Sequence, residues 1–155
     1  MNSVATAPAY RERLVPGIGL FAACLLIVPA VALILVPVAA PLAIPVSISV
    51  YVLLVIALLL LSPTIRVAGG ILYAGRAQIP VEQLGEIELL GAQALREAIG
   101  PNLDARSYLV IRGWIHRGVR ITNIDPADPA PYWIITSRRP QALAEAIEGS
   151  HPAAS

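Results

Sequence analysis

From Leu14 to Ile65 the chain runs for 52 residues without an Asp, Glu, Arg, Lys or His, and after Arg66 polar and apolar residues alternate over short periods. A hydrocarbon core of about 30 Å is crossed by roughly 20 apolar residues in helix, so this stretch has room for two crossings and a connection. Pro37, Pro41 and Pro45 recur every fourth residue. Prolines that close remove helix hydrogen bonds and clash with preceding carbonyls, which predicts the connection there. The reading is a transmembrane helical hairpin over 14–65, with spans at about 16–36 and 45–65. Pro29 predicts a kink in the first span. Gly19 and Ala23 form a small-xxx-small pair that would let the second span approach near Ala57.

The flanking charges orient this hairpin. Arg11 and Arg13 precede it, Arg66 and Arg76 follow it, and the turn has no charge. Basic residues near span ends stay on the cytoplasmic side, so both termini are expected in the cytoplasm of a plasma-membrane protein. The competing reading is a secretory signal cut after Ala30-Val31-Ala32. Apolar sequence running on past Ala32 argues against it. The N-terminal 1–13 reads as a polar tail whose Tyr10 and Arg11 begin the membrane interface, and 150–155 reads as a disordered tail.

Between these limits, 66–149 reads as an α+β domain joined to the hairpin without a linker. IRVAGG, ILYAGR and AQIPV are β-prone pieces broken by Gly69-Gly70 and Gly75, which predicts a tight meander. In Val81–Leu90, Ile87 and Leu89 alternate with Glu86 and Glu88, which predicts a strand. Gly91–Ile99 reads as a short helix stopped by Gly100-Pro101. Strands are predicted at 107–112, 118–124 and 132–137, and a final helix starts at Pro140 with Leu143 and Ile147 on one face and Thr136 or Ser137 near its cap. The order predicts an antiparallel sheet closed by a C-terminal helix, the pleckstrin-homology-like plan.

Composition agrees with this division. The chain is 57% hydrophobic, yet from Arg66 onward nine Arg balance nine Asp plus Glu, so no bulk attraction to nucleic acid is implied. Its one cysteine, Cys24, has no intrachain disulfide partner and reads as a small apolar filler.

The segments YRERL, GRAQIPVEQLGEIELL, YLVIRGWIHRGVRI, DPADPAPYWIITSRRP and the closing helix together resemble a family of small actinobacterial two-span membrane proteins of unknown function. The similarity runs from Tyr10 to Ile147. It implies the topology above and carries no activity, substrate or cofactor. The resembled family opens its first span with aromatics, whereas this chain has Pro16-Gly17-Ile18-Gly19, so no strong aromatic belt is expected there.

No constellation in the sequence predicts catalysis. His116 stands alone between Ile115 and Arg117, Ser107 and Ser137 lack a nucleophile elbow, and the glycines make no phosphate loop. No cofactor or metal is expected, because Asp125 and Asp128 lie in a Pro-rich loop where they would bond local backbone. The expectation is a non-enzyme. Candidate chemistry is confined to Arg112, Trp114, Arg117, Arg120, Tyr132, Trp133, Arg138 and Arg139. Arginine with aromatics holds phosphate bidentately and stacks on flat groups. Arg112 and Arg120 would share a side if their strands paired as a hairpin. Arg138 and Arg139 precede a helix N-terminus, where an anion would relieve the charge conflict. The function expected is a membrane-tethered binding module engaging anionic lipid head groups or a partner. The alternative is an accessory subunit of an envelope complex, recognised through its transmembrane helices. The sequence gives no signal of oligomeric state.

Overall fold

The computed structural model describes residues 9–151. It has a long apolar helix and two β-sheets in an α+β fold, and it divides into two units, Val15–Ser62 and the remainder.

The apolar unit holds α1 (Ile18–Cys24) and α2 (Ile27–Leu60). Pro29 has no N–H to give the Leu25 carbonyl, which instead accepts from Val28 N at 3.0 Å, and the helix is interrupted at Leu25–Leu26. Pro37, Pro41 and Pro45 all lie within α2, whose one non-helical residue is Ala39 at φ −153°, ψ 66°. The expected eight-residue turn is therefore replaced by a break at one residue. Pro41 falls in the first turn after it, where a proline removes no helical hydrogen bond, whereas Pro37, in the last turn before it, still forgoes the bond to the Leu33 carbonyl. Tyr51 Oη donates to the Phe21 carbonyl, thirty residues away, at 3.3 Å. Unbroken helix would separate these groups by about 45 Å, so the chain doubles back within the unit. Ser47 and Ser49 donate to the carbonyls of Ala43 and Pro45. Gly19 corrects the small-residue expectation, since a Cβ there would meet nothing within 4 Å and no helix packs closely on it.

The other unit begins with a strand that the sequence concealed. β1 (Tyr10–Arg13) pairs antiparallel with β2 (Thr64–Ala68), and β3 (Ile71–Ala74) and β4 (Ala77–Pro80) complete a four-stranded sheet in the order β1-β2-β3-β4. Tyr10–Arg13 is thus not tail, and residues 1–8 lie outside the described residues. Residues 152–155 of the expected C-terminal tail also lie outside them. The hairpin limits move inward for the same reason. Leu14 and Ile65, counted as membrane ends, are fully buried in the sheet core, and Leu14 N–H donates to the Pro63 carbonyl at 3.0 Å. The meander follows its glycines: Gly69 and Gly70 adopt φ of +58° and +72°, and Gly75 adopts +66°, conformations that L side chains rarely take.

A second sheet has the order β5-β7-β8-β6, from β5 (Leu84–Leu90), β6 (Tyr108–Val110), β7 (Gly118–Asn123) and β8 (Tyr132–Thr136). β6 runs parallel to β8, which departs from the expected all-antiparallel sheet. Helix α3 (Ala92–Ile99) separates β5 from β6, so the chain approaches β8 from the crossover direction instead of by a hairpin. One core joins both sheets, with Val67 and Leu72 meeting Ile121, Trp133 and Ile135, and α4 (Pro140–Glu148) adds Leu143 and Ile147 to it. Helix α3 covers the other face through Leu90, Leu95, Ala98 and Ile134. With both faces covered, Trp133–Thr136 is buried throughout and shows no alternation.

Candidate functional site

Strand register decides which arginines meet. Gly118 opposes Thr136, and Ser137 N–H donates to the Arg117 carbonyl at 3.0 Å, which sets Arg117 beside the segment leading into α4. Arg117, Arg138 and Arg139 line an open depression of about 410 Å³ with Leu89, Gly91, Pro140 and Gln141. An adjoining depression adds Trp114, Ile115 and His116. Neither α3 nor α4 has a side-chain cap at its N-terminus. Gln141 N–H has no carbonyl a turn earlier in the helix, and positive charge there opposes the helix dipole. The arrangement can accept a phosphate or carboxylate. It offers no nucleophile with a paired base, and among the described residues there is no group of three His, Cys, Asp or Glu that could hold a metal.

Beneath this surface lies a buried polar network. Glu12, only 7% exposed, accepts from Tyr10 Oη and Ser137 Oγ at 2.6 Å each through Oε2, and from Arg138 N–H at 3.0 Å through Oε1. Ser137 Oγ lies 3.0 Å from Tyr10 Oη and accepts from Arg139 N–H at 3.0 Å. Burial and the Glu12 carboxylate push the Tyr10 phenol up to about 12, so it stays a donor at neutral pH. The Arg139 guanidinium stands 5.3 Å from the Tyr10 ring centre and donates to the Arg11 carbonyl at 3.3 Å. Strand β1 therefore fixes the backbone from which Arg138 and Arg139 project. Replacing Glu12 by Ala leaves the two hydroxyls to bond each other and strands the Arg138 N–H. The expected loss is about 2–3 kcal/mol, read by denaturant unfolding, with Glu12→Gln losing less because its carbonyl still accepts.

The remaining predicted residues are dispersed. Arg120 lies on the α3 face of its sheet, paired with Glu88 and 5.4 Å from the Tyr132 ring centre. Arg112 is not its neighbour, because β8 stands between β6 and β7. The expected hairpin of these two strands does not form. Arg112 N–H instead donates to Thr136 Oγ1, which donates to the Val110 carbonyl. Trp133 is core, 3% exposed, with its ring 4.4 Å from that of Tyr108. Trp114 is half-buried against the same core. Asp125 and Asp128 bond the backbone of Ala127 and Ala130, as the loop sequence predicts. Glu12 has no role in the sequence-based expectations, and Tyr10 and Ser137, expected at the membrane interface and at the cap of the last helix, meet it in this buried network. The available signal was the period-two pattern Tyr10-Arg-Glu-Arg-Leu14, which puts Tyr10, Glu12 and Leu14 on one face.

The chain belongs to the family described as "Protein of unknown function (DUF3093)", whose model matches residues 9–147. The match begins ahead of β1 and ends within α4, so it takes in both units. No match was found among curated proteins or among solved structures.

Proposed function

We propose that this chain is an integral membrane protein with two spans and that its α+β domain is a non-enzymatic binding module on the cytoplasmic face. The observation that carries the topology is the β1–β2 pairing, in register from Tyr10↔Val67 to Arg13↔Thr64. It fixes the two ends of the apolar insertion side by side on one domain. A segment that leaves and returns at one place crosses a bilayer an even number of times, whereas a single long span would part the strands. The doubling back between Phe21 and Tyr51 supports the same reading, as does the exposure of Leu33, Ile34, Val38, Leu53 and Leu60, side chains suited to lipid. Arg11, Arg13, Arg66 and Arg76 flank the insertion and favour the cytoplasmic side. Helix α4, seated in the core between two sheets, supports the pleckstrin-homology-like comparison, and the parallel β6–β8 pair departs from it.

The binding surface is the depression of Arg117, Arg138 and Arg139, which suits an anionic lipid head group or an acidic patch on a partner. A photoreactive residue at position 141, in full-length protein in native membranes, is expected to form an adduct that Arg138→Ala with Arg139→Ala reduces several-fold. The mass of the adduct separates lipid from protein. An adduct unaffected by both substitutions would sink the assignment of the site. The same sample should resist carbonate extraction and retain the full 16.4 kDa mass. Cleavage after Ala32 would instead favour a signal sequence. Crosslinks confined to the apolar helices would favour the accessory-subunit reading.

A further inference from the structure

The outer face of the first sheet carries a separate cationic site. Its strands alternate strictly: Tyr10, Glu12, Ile65, Val67, Leu72 and Ala74 are buried, and Arg11, Arg13 and Arg66 are exposed on the opposite face. Register places Arg11 directly against Arg66, and Arg66 against Tyr73. The one acidic residue in these four strands, Glu12, points inward to its buried network. Like charges opposed across strands about 5 Å apart are destabilising, and among the described residues no carboxylate lies within ion-pair distance of Arg11 or Arg66. The Arg66 guanidinium lies 4.1 Å from the Tyr73 ring centre, which holds its fork in a fixed plane. Arg11, Thr64, Arg66, Tyr73 and Gly75 line an open depression of about 450 Å³, and none of them lines the depression at α4.

From this geometry we propose that Arg11 and Arg66 together clamp one phosphate group, that of an anionic phospholipid head group. A phosphate bridging the two guanidiniums removes the cross-strand repulsion. It is charge-assisted on both sides, with the Thr64 hydroxyl as a further donor. The lipid source rests on the two-span reading above, because both arginines lie within a few residues of the points where the chain passes into the apolar insertion.

The experiment uses full-length protein in nanodiscs of phosphatidylcholine with phosphatidylglycerol, ejected intact into a mass spectrometer. With Arg138→Ala and Arg139→Ala as the common background, so that the depression at α4 contributes nothing, the otherwise wild-type protein is expected to retain one phosphatidylglycerol in preference to phosphatidylcholine. Arg11→Ala with Arg66→Ala should cut that retention about a hundredfold, the scale of two lost charge-assisted contacts at about tenfold each. The double Lys variant should lose most of it too, since an ammonium cannot form the fork. Both side chains are exposed, so the variants should melt no lower than the background protein. Equal retention by the background protein and the Arg11→Ala, Arg66→Ala variant overturns the proposal. Displacement of the lipid by millimolar inorganic phosphate overturns the lipid source. Failure of the membrane reading appears separately, as release of the protein by carbonate, and phosphate binding that depends on Arg11 and Arg66 can still be read in that case.

Discussion

A fragment starting at Pro63 and running to the C-terminus is expected not to fold, although it contains every element of the α+β unit except one four-residue strand. Without β1 the core loses Tyr10 and Leu14, which are 5% and 0% exposed. Burying two such side chains is worth about 5 kcal/mol together. Four residues of ladder with β2 are lost as well, which leaves β2 as an unprotected edge. Arg138 N–H and Ser137 Oγ lose the Glu12 carboxylate. These losses are comparable to the whole stability of a small domain, about 5–15 kcal/mol. Joining residues 9–14 to Pro63 through a short Gly-Asn loop in place of 15–62 should restore folding, because Leu14 N and the Pro63 carbonyl are already 3.0 Å apart. Amide dispersion in a two-dimensional NMR spectrum distinguishes the outcomes. A well-dispersed spectrum from the fragment alone would make β1 an accessory strand and weaken the even-crossing argument.

The reason β1 escaped the sequence reading also explains what was legible. The meander β2–β4 is local, and each of its turns is announced by glycines with the dihedrals that tight turns need. Helix α4 announces itself by Pro140 and the Leu143–Ile147 spacing, and the aspartate loop by its own turn chemistry. Strand β1 has four residues, three of them charged, and its partner lies beyond the apolar insertion. Its arginines meet the rule for residues beside a membrane equally well, so the local pattern had two explanations and only pairing chooses between them. Leu14 and Ile65 were misread for a similar reason, since an apolar residue looks alike facing lipid or a protein core. The arginine cluster divided because sheet order, which is non-local, set β8 between β6 and β7 and put Arg120 on the far face. Arg117, Arg138 and Arg139 line one depression because the register of one strand pair sets them there.

That register hangs on Gly118, and Gly118→Ala is expected to cost about 4 kcal/mol or more, in the range reserved for a named steric failure. A Cβ at this position would stand 2.2 Å from the Ile135 carbonyl oxygen and 3.0 Å from the Thr136 Cα. Both are backbone atoms of β8 and cannot rotate away, so β7 and β8 must part at the end where their ladder begins. Thr136 and Ser137 would move with them. Thr136 Oγ1 holds the Arg112 N–H and the Val110 carbonyl, and Ser137 holds the Arg117 carbonyl and Glu12. The substitution should therefore lower stability and separate Arg117 from Arg138 together. Gly113→Ala is the control, since a Cβ there meets nothing within 4 Å, and it should leave the unfolding midpoint nearly unchanged. Denaturant unfolding of the two variants in parallel provides the test. If Gly118→Ala unfolded with Gly113→Ala and wild type, the close approach of β7 to β8 would not be what positions the arginine surface.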